Sequence, residues 1–359
     1  MAPAALITAS YSDVLTHLAF APAARTLTVT GTTPSGGSMS WLSLSPADPT
    51  LLVGTNESAQ GEVRLFRIAQ PAPDGRVTID PLGAPQPTAG HSPAHHRVLQ
   101  DGTAVLAANY MAGTLQTVPL TPLGLLPARH PLLKFPFIGP GPNPARQESS
   151  HPHEVYQRSA TELLVPDLGA DKIWRLAPSA PTGEWAIAGD IVGPPGAGPR
   201  HIQVVASDLY VLNELDNTLS HWTLPLALGT SASHHSTQPC TRLTTTGGAA
   251  ELLIHPAGGY LYATNRDSNN VAGDTIAIFK LQPSLLALGA REPKWLREVH
   301  TGLSHIRGAV IREFEGSVYL LAAGQNGGGV KAYEVTDGGE DLQELAQVDV
   351  DKVTGFVWL

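Results

Sequence analysis

An apolar run, a small or polar cluster and a second apolar run recur along this chain. The pattern reads LLVGTNESAQGEVRLFRI from Leu51, AVLAANYMAGTLQTVPL from Ala104 and ELLVPDLGADKIWRL from Glu162. It returns as LYVLNELDNTLSHWTL from Leu209, YLYATNRDSNNVAGDTIAIFKL from Tyr260 and VYLLAAGQNGGGVKAYEV from Val318, with a weaker copy, ALITASYSDVLTHLAF, from Ala5. The polar clusters fall near Tyr11, Asn56, Asn109, Asp167, Asn213, Asn265 and Gln325, in steps of 45 to 60 residues. Short apolar runs bounded by Gly, Asn, Asp and Ser predict strands joined in hairpins. Strand-rich repeats of roughly 40–50 residues predict a β-propeller. The expected architecture is all-β, one domain over residues 1–359, with seven four-stranded antiparallel blades around a central channel.

Upstream of several hairpins lies one more strand: HEVYQR near His153, HIQVVA near His201, ELLIHP near Glu251 and IRGAVI near Ile306. These are assigned to the innermost position of each blade, and the segments NELD and TNRD to the mouth-facing end of the next strand. Closure of the ring is expected from strands of both chain ends, because the terminal VTGFVWL is too apolar for a free tail and closure removes exposed sheet edges. Helical signals are confined to LPLALG near Leu224 and LQPSLLALG near Leu281, each enough for a turn or two.

Composition narrows the function classes. A formal charge of −9 without a basic stripe argues against nucleic acid. The apolar runs are short and interrupted, so no membrane-spanning helix is expected. Cys240 is the one cysteine, which excludes an intrachain disulfide and fits a reducing compartment. The opening MAPAALITAS lacks a basic region before its apolar residues, which argues against a signal peptide and for the cytoplasm.

Propeller symmetry then gathers four chemically dense segments on one rim. SSHPHEV contributes His151, His153 and Glu154; GPRHI contributes Arg200 and His201; LNELDN contributes Asn213, Glu214 and Asp216; TNRDSNN contributes Asn265, Arg266 and Asp267. His201 is expected to point away from Arg200, since side chains alternate along a strand. The bland readings stand beside these. A Glu–Arg pair is often an interblade salt bridge, His151 before a proline reads as a loop residue, and an asparagine at a blade turn is often a turn former. No nucleophile elbow, phosphate loop or dinucleotide fingerprint is present, and Cys240 has no partner for zinc. Calcium is the rival cofactor, with oxygens from Asn213, Asp216, Asn265 and Asp267; two arginines aimed at the same channel would repel it, and neither a metal nor another cofactor is expected.

The segments NYMAGTLQTVPL, SHPHEV with VPDLGADKI, GPRHIQVV with LYVLNELDNTL, and AAELLIHPAGGYLYATNRDSN resemble, in order, the seven-bladed lactonase family. That family includes bacterial-type 6-phosphogluconolactonase and fungal carboxy-cis,cis-muconate cyclase. The resemblance covers most of the chain, from about Asn56 to Gln325. It implies a catalytic set of His153, Arg200, Glu214 and Arg266. Asn109, Tyr110, His95, Asn213, Asn265 and Arg307 are the candidates for binding substrate. The chain departs from the family at the last blade, where LSHIRGAV stands for the usual P-R-H-F and GQNGGG replaces an N-x-D-S cluster.

These residues suit an anionic lactone or its opened form. Guanidiniums hold carboxylates in a bidentate fork or neutralise an oxyanion. An imidazole moves protons near neutral pH, and a carboxylate beside an arginine stays ionised. The expected activity is hydrolysis of a sugar lactone. The alternatives are cyclisation of a muconate and a non-catalytic binding platform, since fold does not settle function.

Overall fold

The computed structural model describes residues 2–128, 131–180, 182–243, 247–284 and 289–359. Its strands form seven antiparallel sheets arranged as the blades of a propeller. In six blades the strands follow one another from the channel outward, as in the blade built from Pro199–Val205, Asp208–Asn213, Thr218–Thr223 and Ser233–Pro239. Two blades have an outer strand split into two short pieces that both pair with the third strand. The seventh blade takes its inner strand, Val353–Trp358, from one chain end and its other three, from Ala4–Ser10 outward, from the other.

Burial explains the sequence pattern. The second strand of each blade packs neighbours on both faces, so it reads as a continuous apolar or small-residue run without alternation. Ala4–Ser10, Leu51–Asn56, Ala104–Asn109, Glu162–Asp167 and Asp208–Asn213 are buried at every position. The outermost strands alternate, as in the mostly exposed Thr26–Pro34. Between the closing blade and its neighbour, Leu6, Leu18, Phe20 and Trp358 of the closing blade share one cluster with Leu321 and Ala332. Phe20 meets Tyr319 edge-on at 5.2 Å between ring centroids.

The helical signals are absent at Leu224, where residues 224–229 form bends and a turn. In LQPSLLALG, residues 285–288 lie outside the described part. Among the described residues helix is limited to single 3-10 turns at Pro22–Ala24 and Asp337–Gly339. Among the described residues no helix is long and apolar enough to cross a membrane.

One local feature recurs and positions the site. The inner strands begin with a β-bulge at the channel mouth: the register slips between Met39 and Trp41, Pro199 and His201, Ala249 and Leu252, and Ser304 and Ile306. A bulge inserts an unpaired residue and re-aims the side chains around it.

Candidate active site

Blade geometry puts two kinds of position at the mouth. One is the bulge itself. The other is the residue just after the second strand's last paired residue, which steps off the sheet. Asn213 pairs with Pro199, so Glu214 is the first residue off; Asn265 pairs with Ala249, so Arg266 is. By the same register Asn56 delivers Glu57, Asn109 delivers Tyr110 and Ser10 delivers Tyr11.

Glu214 is the hub of one side of the mouth. Its Oε2 accepts from Arg200 Nε at 3.0 Å and lies 3.0 Å from Arg266 Nη2, while Oε1 lies 2.6 Å from Arg146 Nη2. Burial alone would push this carboxyl up. The guanidiniums of Arg266, Arg200 and Arg146 together outweigh that and hold it well below the usual carboxylate range. Glu214 is therefore a permanent anion that fixes three cations. Room for it comes from Gly247 and Gly248: a Cβ on Gly248 would lie 2.4 Å from Glu214 Cγ, and one on Gly247 2.4 Å from an Asp267 oxygen. Arg200 donates onward to the Ala250 carbonyl and lies 3.4 Å from Glu251, and Arg266 donates to the Gly248 and Ala249 carbonyls at 3.0 and 3.3 Å.

His153 follows Pro152, whose isolated bridge to Asp167 stands in for the inner strand that begins only at Tyr156. Its ring meets Tyr110 at 5.6 Å and His201 at 5.3 Å, and its buried Nδ1 has no hydrogen-bond partner among the described residues. Burial lowers its pKa well below the ordinary value, and Arg200, His201, Arg307 and Arg266 add to that. It is a neutral imidazole at physiological pH.

The opposite side of the mouth uses different partners. Glu57 takes Arg307 at 3.0 Å and the Tyr11 hydroxyl, and the Arg307 guanidinium lies 4.8 Å over the Tyr11 ring. His305 Nδ1 bonds Asp267 at 2.9 and 3.0 Å. Between the two sides opens a cavity of about 530 Å³, lined by Arg146, Glu214, Arg266, Asp267, His305 and Arg307 among others.

The structure brings Arg200, Glu214 and Arg266 into direct contact, with His153 in the field of both arginines. Arg307 lines the cavity, and Tyr110 accepts a hydrogen bond from Arg146 at 3.1 Å. Other expectations are corrected. His201 does not point away: the bulge at Arg200 cancels the alternation, and both side chains turn inward, His201 pairing with Glu251 at 3.1 Å. The Nδ2 groups of Asn109, Asn213 and Asn265 donate to Thr114, Thr218 and Thr275 of their own hairpins, as turn residues do. His95 sits deep, its ring tilted against Trp41 at 4.3 Å and edge-on to His201 at 5.7 Å. His151 stacks on Tyr110 at 4.4 Å, and its Nε2 lies 2.9 Å from a carboxylate oxygen of Glu148. The oxygens considered for calcium are engaged locally, Asp216 by Thr218 and Asp267 by His305.

Sequence reading missed Arg146, Glu57, Tyr11 and Glu251. Glu57 and Tyr11 had a legible signal, since they occupy the register of Glu214 in other repeats. Arg146 lies in the proline-rich loop before SHPHEV, and nothing in its spacing points to Glu214.

Comparison with known proteins agrees with this architecture. The model of the family described as lactonase, 7-bladed beta-propeller, matches residues 4–358. A relative from Arthroderma benhamiae named "Probable 6-phosphogluconolactonase" is 30% identical over 210 residues, which is 55% of this chain and 50% of that protein. The 6-phosphogluconolactonase of Bacillus subtilis (strain 168) is 26% identical over 58% of this chain and 60% of its own length. The matched segments thus span only about half to three-fifths of these two relatives. The 6-phosphogluconolactonase of Yersinia pestis (strain Pestoides F) is 24% identical over 93% of this chain and 90% of its own. Among solved structures, a Bacteroides fragilis protein superposes with a TM-score of 0.85 at 23% identity, covering 100% of this chain and 98% of that one. The periplasmic gluconolactonase of Pseudomonas aeruginosa gives 0.81 at 20%, covering 99% of both. At these identities the structural likeness speaks to fold.

Proposed function

The chain belongs to the seven-bladed β-propeller lactonase family, and from that premise we propose that it hydrolyses the ester bond of a sugar lactone carrying an anionic group. The observation that carries this reading is Glu214 at the wall of the mouth cavity, which fixes three guanidiniums, two of them, Arg200 and Arg266, acting on the neutral imidazole of His153. Relatives named 6-phosphogluconolactonase supply the substrate class. Muconate cyclisation draws no support from them.

In this reading Arg266 and Arg146, on the cavity wall, engage the substrate's anionic group and the developing oxyanion. Arg200 is nearly fully buried and completes the field from behind. His153 takes a proton from the attacking water. The surrounding arginines disfavour an imidazolium in the resting site; the negative charge of the tetrahedral intermediate offsets them at the moment the proton arrives. Glu214 stays ionised and positions the arginines. The single, buried cysteine supports a reducing compartment such as the cytoplasm.

The test is proton release by the purified protein from a panel of sugar lactones, run beside loss of muconate absorbance. Turnover of an anionic sugar lactone is expected. Absorbance loss on a muconate without lactone turnover would replace hydrolysis by cyclisation, and inactivity on both would leave a binding platform.

A further inference from the structure

Lactone hydrolysis needs a proton removed from water and a proton delivered to the ring oxygen that leaves. His153 is suited to the first task. A second histidine at the mouth, His305, stands in the blade that departs from the family pattern. Its Nδ1 is fixed by both carboxylate oxygens of Asp267, at 2.9 and 3.0 Å, and Nε2 has no protein partner among the described residues. Both side chains line the cavity together with Arg146 and Glu214. Both residues also hold left-handed backbone, φ 60° at His305 and 52° at Asp267, a conformation uncommon outside glycine and concentrated at functional sites. The His305 amide donates to Asp274, which locks that backbone in place. A carboxylate on one ring nitrogen sets the tautomer and stabilises the imidazolium, leaving the other nitrogen to exchange protons.

We propose that His305, held by the positioning residue Asp267, is a second catalytic residue: the general acid that protonates the ring oxygen as the lactone opens. The inference rests on the lactonase reading above. His153 accepts a proton from water as the water oxygen bonds to the carbonyl carbon. The bond from that carbon to the ring oxygen then breaks, and with His305 in its imidazolium form the Nε2 proton passes to the ring oxygen, which becomes the product hydroxyl. Exchange with solvent reprotonates His305 and deprotonates His153, and the new carboxylic acid ionises. Environment separates the two roles. Burial and nearby arginines lower both imidazoles, but Asp267 opposes this at His305, whereas the groups that act most on His153 all lower it further.

Leaving-group dependence provides the test. An aliphatic alkoxide needs a proton as it departs; a phenoxide, from an aryl lactone, hardly does. His305→Gly, chosen because the left-handed backbone accepts glycine without strain, is expected to lower kcat on a sugar lactone by roughly 100-fold or more while changing kcat on an aryl lactone only a few-fold. His153→Ala should lower both. Asp267→Asn keeps a hydrogen-bond acceptor but loses the charge. The groups acting on His305 are then Arg266 and Arg307, both cations, so the alkaline limb of the kcat profile should move to lower pH. Equal losses on both lactones in His305→Gly, no loss on the sugar lactone, or an unmoved alkaline limb in Asp267→Asn would overturn the assignment while leaving the lactonase reading standing. A wild-type protein that opens no lactone would overturn that reading itself.

Discussion

The two sides of the mouth solve one problem, holding charge in a channel, in different ways. Glu214 is 4% exposed and binds three guanidiniums, while Glu57 is 19% exposed and binds one, with a tyrosine hydroxyl as its second partner. Both glutamates step off the second strand of their blade at the same register. The difference is stoichiometry. Glu57 neutralises Arg307 one for one, whereas Glu214 leaves guanidinium charge in excess and fixed in place, which is what an arriving anion needs. Glu57 thus holds Arg307 and Tyr11 in place, while in the proposed reading Glu214 arranges the guanidiniums that meet the anion.

Removing each hub gives the largest effect. Glu214→Gln leaves Arg200 and Arg266 buried without their carboxylate, and breaking a buried pair from one side costs about 3–5 kcal/mol. Glu57→Gln should cost about 1–3 kcal/mol, the scale of a hydrogen bond to a charged group. Urea denaturation of the two variants checks this, and equal losses would break the comparison. The catalytic counterpart is His153→Ala, expected to lower kcat roughly 100- to 10,000-fold with little change in the urea midpoint. A variant that loses stability in proportion to activity would make His153 a packing residue.

The next contrast is between the mouth and the channel floor, and pH resolves it. Glu214 is held below its unfolded value, so its contribution is fully present above the ordinary carboxylate range and fades only as pH falls through its depressed pKa. Histidines kept neutral behave differently. Burial, aided by Arg97, lowers His96 to about 3. An unfolded histidine binds a proton near pH 6.5. Between these values the unfolded state holds the extra proton, so stability falls as pH falls, by about 1.4 kcal/mol per unit for each such group. His96 accepts or donates to Ser43 at 2.7 Å and Thr55 at 2.6 Å. His96→Gln should therefore flatten the stability profile between pH 6.5 and 3, read as urea midpoints across that range. A profile as steep as wild type would remove His96 from the account.

The smallest effect is expected at Arg146, whose side chain is 44% exposed. Arg146→Ala should change stability by no more than about 1 kcal/mol. The apparent KM for an anionic lactone should rise about tenfold, with a smaller rise for a neutral one, as loss of a charged hydrogen bond implies. Equal rises for both substrates would place Arg146 outside charge recognition.

Much of this was legible in the chain. The uninterrupted apolar runs marked the second strands because both faces of those strands are covered. The repeat spacing marked the blades and grouped the segments that carry Arg200, Glu214 and Arg266, and the family resemblance singled those three out. What was not legible depends on features that spacing cannot carry. The bulge at Arg200 turns His201 inward, and a bulge is decided by pairing across strands. Asn213 and Asn265 have the side chains of ligands but spend them on hairpins. Arg146 reaches Glu214 across 68 residues of sequence, from a loop with no periodicity to place it.

The central claim is that Glu214 organises a hydrolytic anion site while Glu57, in the same register, does not. The direct measurement is kcat/KM by proton release on the best anionic sugar lactone for wild type, Glu214→Gln and Glu57→Gln, each at a temperature where all three are folded. The account predicts a loss of more than roughly 100-fold for Glu214→Gln, the scale of losing oxyanion stabilisation, and of less than about tenfold for Glu57→Gln. Wild-type turnover in Glu214→Gln, or matching losses in the two variants, would contradict it.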